Sequence, residues 1–268
     1  MIKLLRLEYL KFRRNRVFRI MALLYLLLLP GLLVVGFNIK GIPEELGSIE
    51  QFFIFPTIWS LLAYLGNWLS FFFLGIVGVL SITLEFEHRT LRQNIITGLS
   101  RPQFFGAKWI WLFTLSALAT LYYVLVAGVT GLLFTETIYL SKVAEGLSNI
   151  GRYGLMTLAY ASFGWLVGTL LRRTGLALFS YLIYAFFVEL LIRWALHFQY
   201  FPHPSMHYYP LNAFEDLAQP PIPQIAKEFM RENDFSLYLS TNEAVVIALA
   251  YLFLFWALIY WRMRRSDL

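Results

Sequence analysis

The amino-acid sequence predicts an all-α integral membrane protein with six transmembrane helices. The chain is 59% hydrophobic and only 14% charged, whereas soluble domains are roughly half apolar and a quarter charged. Its apolar residues come in long runs, and a helix needs about 20 of them to cross a bilayer core about 30 Å thick. Lysine and arginine concentrate in alternate connections between these runs. Together these three observations exclude a soluble fold.

Six stretches are long and apolar enough to span a membrane. They are Val17–Phe37, Phe52–Leu84, Trp109–Phe134, Tyr153–Leu171, Leu176–Leu196 and Ala244–Trp261. The second is too long for one straight span, and Pro56 or the pair Gly66-Asn67 offers a place where it bends or begins. In the fourth, the spacing of Gly164 and Gly168 predicts close helix packing, either within one subunit or between two.

Charge sets the orientation of the spans. With the N-terminus inside, sixteen of the 22 Lys and Arg residues lie in inner segments and five in outer ones. The positive-inside rule therefore predicts that both termini of a single transmembrane domain, residues 1–268, are cytoplasmic. The net charge of +6 is explained by this orientation, so no nucleic-acid partner is expected. The absence of cysteine excludes disulfides, thiolate catalysis and zinc–thiolate sites.

Residues 1–16 are predicted to form an interfacial helix. Ile2, Leu5, Tyr9 and Phe12 recur at helical spacing, while basic residues fill half of the other positions. Such a helix lies in the headgroup plane with its apolar side toward lipid and its basic side toward anionic headgroups. The alternative is a positive flank that only anchors the first span.

The inner loop over residues 85–108 is far longer than two antiparallel spans need. Within it, residues 90–96 predict a short helix with Leu91 and Ile95 on one side, and Gly98 ends this helix. The Ser-Arg-Pro triplet that follows predicts the start of another helix. A short amphipathic helix held between two spans is suited to transmitting a partner's motion. The alternative is a solvated basic loop.

The N-terminal helix, the six spans and this loop resemble the permease subunits of the type-2 ABC exporter family. In that family an acidic pair precedes a Thr-Leu turn, a Gly, a Ser-Arg pair and a later Lys. The matching residues here are Glu85, Glu87, Thr90, Leu91, Gly98, Ser100, Arg101 and Lys108. Many members have Gly before the Thr and Pro near the Ser-Arg. This chain has Arg89 and Gly98 instead, a variant that resembles bacterial members.

The resemblance implies that residues 1–16 are an elbow helix and that the inner loop holds a coupling helix for a separate cytoplasmic ATPase. The residues expected to couple the two proteins are Glu85, Glu87, Thr90, Leu91, Arg92, Ile95, Ser100 and Arg101. It further implies an exporter in the bacterial inner membrane, with two permease copies, identical or related, and two ATPase copies.

The chain itself is not expected to be an enzyme or to bind a cofactor. A phosphate-binding loop needs Gly-x-x-x-x-Gly-Lys-Ser/Thr, and the sequence contains no Gly-Lys dipeptide. ATP and Mg²⁺ are therefore assigned to the partner ATPase. The substrate is not predicted, because aromatic residues suit a lipid, a peptide or a hydrophobic drug but also mark interfacial belts in any membrane protein. A non-transporting scaffold or sensor subunit is an alternative function.

The outer loop over residues 197–242 carries clustered prolines with aromatic residues between them. This composition favours an ordered cap containing a short helix at Ile225–Arg231, and the alternative is a mobile linker. Three histidines lie in or beside the proline cluster, at His197, His203 and His207. No metal site is predicted, because the prolines leave no helix to fix the geometry of the imidazoles.

Glu189 and Arg193 are the strongest candidates for charge inside a span. They are four residues apart in the fifth stretch, so they can pair on one face of a helix. Ionisable residues within a membrane are also candidates for a substrate path. An intramembrane enzyme would need a second acid, His or Ser/Lys partner at the same depth, and Glu189 has none in the predicted spans.

Overall fold

The computed structural model describes residues 2–38, 48–96, 98–201, 203–221 and 238–265. These residues form helices joined by short turns, and no strand occurs among them. The helices are α1 (Ile2–Arg14), α2 (Arg16–Phe37), α3 (Thr57–Glu87), α4 (Thr90–Ile96), α5 (Arg101–Phe134), α6 (Leu140–Glu145), α7 (Ser148–Leu171), α8 (Thr174–Tyr200), α9 (Pro210–Glu215) and α10 (Thr241–Arg265). Helices α2, α3, α5, α7, α8 and α10 provide the six membrane-spanning segments, which confirms the predicted fold class.

The second span shows where the apolar run was misjudged. The structure places a 3₁₀ turn at Ile49–Phe52, and α3 begins at Thr57, directly after Pro56. Its irregular part is a π-helical segment at Ser70–Gly75, beyond the pair Gly66-Asn67 that was expected to bend. Proline therefore marks the start of the helix, while the altered hydrogen bonding lies deeper within it.

Helices α3 and α7 form the centre of the bundle. In each of these two spans, 72% of the most apolar stretch of 18 residues is buried, whereas the buried share is 17–28% in the other four spans. The surrounding helices α2, α5, α8 and α10 consequently expose long apolar faces, which fits a protein whose solvent is lipid.

Glycines bring the backbones of α3 and α7 into near contact. A Cβ atom built on Gly164 would lie 2.0 Å from the carbonyl oxygen of Gly75, and one on Gly78 would lie 2.0 Å from that of Ala161. A Cβ on Gly168 would lie 2.9 Å from the carbonyl oxygen of Val79. The small-residue pair predicted in the fourth span therefore packs within the subunit.

Tyrosine hydroxyls satisfy polar groups in the buried centre. The Tyr181 hydroxyl donates to the carbonyl of Phe71 in the π-helical segment (2.9 Å), and the Tyr160 hydroxyl donates to Asn67 Oδ1 (2.7 Å). A polar group without a partner is costly in a hydrocarbon environment. The bond from Tyr181 supplies a partner for a backbone carbonyl in the segment where α3 departs from regular α-helical hydrogen bonding.

The N-terminal helix is separate from the first span. Asn15 divides them, and its side-chain oxygen accepts from the amides of Val17 (2.9 Å) and Phe18 (3.3 Å) to cap α2. Phe12 is only 5% exposed and stacks on Trp111 of α5 at 5.0 Å between ring centroids. The expectation that Phe12 faces lipid is wrong, because this ring fixes α1 to α5.

Candidate functional site

Four charged side chains meet where α1 crosses the end of α3 and the beginning of α5. We call these residues, Glu8, Lys11, Glu85 and Lys108, the buried charge cluster. Lys108 Nζ binds Glu8 Oε2 at 2.6 Å and Glu85 Oε1 at 2.7 Å. Lys11 Nζ binds the same Glu85 oxygen at 2.7 Å and Glu8 Oε1 at 3.1 Å. The cluster thus joins the N-terminal helix to the beginning and end of the loop over residues 85–108.

The cluster is balanced in charge, and three of its four members are buried, while the Lys11 side chain is 39% exposed. Glu8 and Glu85 are each 3% exposed and Lys108 is 1% exposed, so two carboxylates face two ammonium groups. Burial by itself lowers the pKa of Lys11, but the carboxylates of Glu8 and Glu85 outweigh it and raise that pKa. Because buried charges are stable only when paired, this arrangement makes the position of α1 depend on the loop.

One side of the short helix α4 faces the interior of the protein. The hydroxyl of Thr90 donates to Glu85 Oε2, and Leu91, 4% exposed, packs beside Phe86 and Phe104. The space left among these side chains is about 10 Å³, which is at the lower limit for one water molecule. Leu91 therefore anchors α4 within this subunit, although it was expected to be one of the residues that couple to the ATPase.

The opposite side of α4 is the surface that remains accessible. Arg92, Gln93 and Ile96 are exposed, and Ile96 retains 77% of its surface. Ile95 is partly buried and packs against the core. Of the predicted coupling residues on this helix, only Arg92 is exposed, and the exposed apolar side chain is Ile96, which was not among them.

Both predicted helix boundaries in the loop are confirmed. Gly98 adopts a φ of 101°. Its amide donates to the carbonyl of Ile95, and the amide of Leu99 donates to the carbonyl of Asn94. This is the glycine-dependent Schellman ending of a helix. Ser100 then caps α5 in a reciprocal capping box with Gln103. The loop is consequently two helices joined by a fixed turn.

Arg101 and Glu87 connect the loop to later helices. The Arg101 guanidinium donates to the carbonyls of Met263 (3.1 Å) and Arg264 (2.6 Å) at the end of α10. Glu87 accepts from the amide of Thr174 (2.8 Å) at the start of α8. Arg101 and Glu87, both expected to couple to the ATPase, therefore make contacts within the chain.

A second polar cluster lies at the opposite end of the bundle. The Glu189 carboxylate accepts from the amides of Leu211 (3.1 Å) and Asn212 (2.8 Å) at the start of α9. Arg193 donates to Asn212 Oδ1 and contacts His207 Nδ1 (3.1 Å). Glu189 and Arg193 thus both bind the outer-loop segment, and no ion pair joins them among the described side chains. The predicted direct pairing is wrong, because the free amides of α9 supply better-placed donors.

Asp216 completes this second polar cluster. Its Oδ2 atom accepts from the amide of Leu239 (2.9 Å) and from Asn212 Nδ2 (3.1 Å). Burial raises the pKa of Asp216 from 3.8 to about 7, with the Leu239 amide and Arg193 opposing the shift and Glu215 adding to it. Both hydrogen bonds use Oδ2, so a proton on Oδ1 leaves them intact.

We expect the outer-loop segment to become more stable as the pH falls. Between pH 3.8 and about 7 the folded protein retains a proton that the unfolded chain releases, so the free energy of unfolding rises on acidification. Hydrogen exchange of the Leu239 amide, corrected for its intrinsic pH dependence, should be several-fold more protected at pH 6 than at pH 8. Asp216→Asn should remove this difference. Equal protection of the wild type at both pH values would contradict the assignment.

Two of the three histidines meet at Ser205, but the third, His207, lies apart from them. His197 contacts the Tyr209 hydroxyl and Ser205 Oγ, each at 3.1 Å, while His203 bonds to Ser205 and His207 faces Arg193. No group of three or more potential metal ligands occurs in the part of the chain that the structure describes. The predicted helix at Ile225–Arg231 lies outside the described residues.

Sequence reasoning missed Glu8 and Asp216, although each leaves a signal. Glu8 is the only acidic residue among the first sixteen, one turn before Lys11 on a helix that is otherwise basic. An isolated acid in that setting indicates a specific cationic partner. Asp216 gives a weaker signal, since nothing in its neighbourhood distinguishes it from solvated acids of the same loop.

These features define a polytopic α-helical membrane protein whose loop over residues 85–108 is fixed to its first and last helices. Residues 4–188 match the family described as ABC-2 family transporter protein. The match covers more than half of the chain, so this protein belongs to that family, as the resemblance implied. It is a membrane permease component of an ABC transporter, and membership of this family implies association with an ABC ATPase. No curated protein sequence matches the chain.

Proposed function

We propose that this chain is the permease subunit of an exporter, and that α4 is the element through which its ATPase drives it. Two permease copies work with two ATPase copies, the end of the bundle that carries α1 and α4 faces the cytoplasm, and ATP binding draws the ATPases together. Movement of α4 then opens the exit at the outer end. The ATPase supplies the nucleotide chemistry.

The observation that carries the proposal is the two-sided character of α4. One side is fixed within the subunit through Leu91 and Thr90, while Arg92, Gln93 and Ile96 are exposed. A rigidly held helix with one large exposed apolar side chain and a basic neighbour suits an interface, where buried apolar residues carry most of the binding energy. A solvated loop would need neither the internal anchor nor the exposed isoleucine.

Force on α4 would reach α3, α1 and α5 through the buried charge cluster, and the residues on either side of α4 contact α8 and α10. Thr90 is bonded to Glu85, which belongs to the buried charge cluster with α1 and α5. Arg101 contacts the end of α10, and Glu87 contacts the start of α8. These contacts support the coupling role, because displacement of the short helix cannot occur without movement of the helices around it.

We expect Ile96→Asp to weaken association with the ATPase at least tenfold. Loss of a buried apolar anchor at an interface costs about 2–4 kcal/mol, and the new carboxylate adds a desolvation penalty. The measurement is co-purification of the ATPase with the permease from native membranes, followed by ATP hydrolysis in nanodiscs. Arg92→Ala should give a smaller loss with less salt sensitivity, because charges at the rim of an interface contribute mainly to association rates.

Ile138→Asp is the matched control. Ile138 is 52% exposed and lies between α5 and α6, at the end of the bundle away from α4. It should leave both association and hydrolysis unchanged. Wild-type association for Ile96→Asp would exclude this surface as the docking element. Normal ATP hydrolysis by the complex without ATP-dependent accumulation of any compound in inverted vesicles would favour the scaffold or sensor function over export.

A further inference from the structure

A large apolar groove runs between α1, α2, α3 and α5. Its volume is about 550 Å³, within the roughly 300–1,000 Å³ typical of small-molecule pockets. Side chains from all four helices line it, including Leu5, Met21, Phe73, Val77, Trp111 and Leu118. The groove lies beside the Phe12–Trp111 stack and is open on one side, so in a membrane it is filled by an apolar molecule.

Three hydroxyl groups in the wall have partners within the protein, whereas the buried Nε1 atom of Trp111 has none among the described residues. Tyr25 shares a hydrogen bond with Tyr153 (2.6 Å), Tyr122 donates to the carbonyl of Leu26 (2.5 Å), and Thr114 donates to that of Ile110 (2.8 Å). These hydroxyls leave an interior suited to hydrocarbon. If the occupant had polar groups along its whole length, those polar groups would find few hydrogen-bond partners in the groove.

The rim of the groove carries a positive charge. Arg6 of α1 is exposed there, and within the described residues no carboxylate lies within salt-bridge distance of it. At the junction of α1 and α2, Arg13, Arg14 and Arg19 surround a second, shallow depression. The occupant that matches this pattern has a hydrocarbon chain and an anionic headgroup.

We propose that the groove holds one acyl chain of an anionic glycerophospholipid, with the phosphate of the lipid against Arg6. The lipid would come from the leaflet on the α1 side of the membrane. It would lie between α1 and α5, next to the buried charge cluster, and would complete the contact between these two helices. This site does not depend on the proposed coupling role of α4.

The test measures lipid binding by the delipidated protein. The protein is titrated with phosphatidylglycerol or with phosphatidylcholine of identical acyl chains, and native mass spectrometry counts the bound lipids. The wild type should bind one phosphatidylglycerol at least tenfold more tightly than phosphatidylcholine. Arg6→Gln should reduce this preference to less than threefold. Arg173→Gln, which removes an exposed arginine outside the groove, should leave the preference unchanged.

A second pair of variants tests the apolar part of the site. Leu118 and Leu125 both belong to α5 and are both 57% exposed, but only Leu118 lines the groove. Leu118→Trp should therefore prevent retention of either lipid, while Leu125→Trp should not. Gel filtration and thermal unfolding confirm that the variants are folded. Equal binding of the two lipids by the wild type, or equal behaviour of the two tryptophan variants, would overturn the proposal.

Discussion

Lys108→Met is expected to destabilise the protein by about 3–5 kcal/mol, the usual effect of breaking a buried ion pair by removing one partner. The substitution keeps a chain of similar length at a site that is 1% exposed. It leaves Glu8 and Glu85 facing each other with only the partly exposed Lys11 between them. Thermal unfolding in detergent, monitored by the fraction that elutes as folded protein, measures the loss.

Two further variants separate charge from packing. Adding Glu8→Gln to Lys108→Met removes the excess negative charge and should recover part of the lost stability, because the repulsion between carboxylates disappears. Lys142→Met is the matched control. Its pair with Glu145 is 3.3 Å long, with side chains 58% and 59% exposed, so its loss should change stability by less than about 0.5 kcal/mol. Equal effects of Lys108→Met and Lys142→Met would show that the buried cluster does not hold the bundle together.

Gly164→Leu should have the second large effect, because no space exists for its side chain. A Cβ atom there would lie 2.0 Å from the carbonyl oxygen of Gly75, and backbone cannot move aside as a flexible side chain can. Separation of α3 from α7 should cost at least the upper end of the 1–3 kcal/mol typical of overpacked cores. The expected result is a strong loss of folded protein on gel filtration.

Gly128→Leu provides the comparison for this prediction. Gly128 lies within α5, and a Cβ atom built on it meets nothing within 4 Å. Since leucine has the higher helix propensity, this variant should be as stable as the wild type or slightly more stable. A folded, wild-type-like Gly164→Leu protein would mean that α3 and α7 are farther apart than the structure indicates.

Span number was predictable from sequence because hydrocarbon imposes a minimum length on every crossing helix. Local chemistry was equally accessible: the turn at Gly98 and the helix start at Ser100 follow from backbone requirements within a few residues. The helices nevertheless extend beyond their apolar runs. For example, α5 begins at Arg101, eight residues before Trp109, because a capped helix continues through polar residues until a new signal ends it.

Contacts between distant parts of the chain were not predictable in the same way. Lys108 lies 100 positions from Glu8, and no periodicity indicates that pairing. The spacing of Glu189 and Arg193 correctly suggested a shared region of α8. It did not reveal that unsatisfied amides in the outer loop would bind the carboxylate first, because those amides are defined only by the folded loop.

The hydrogen bonds from Arg101 to the carbonyls of Met263 and Arg264 have a consequence for biosynthesis. The buried charge cluster needs no residue beyond Lys108. It can therefore assemble early in synthesis, before the later spans have been translated. The contact made by Arg101 must wait until α10 has been translated and inserted. Chains that stop before the last span therefore lack this contact beside α4, so the proposed docking surface would gain its full set of internal supports only after the last span is made.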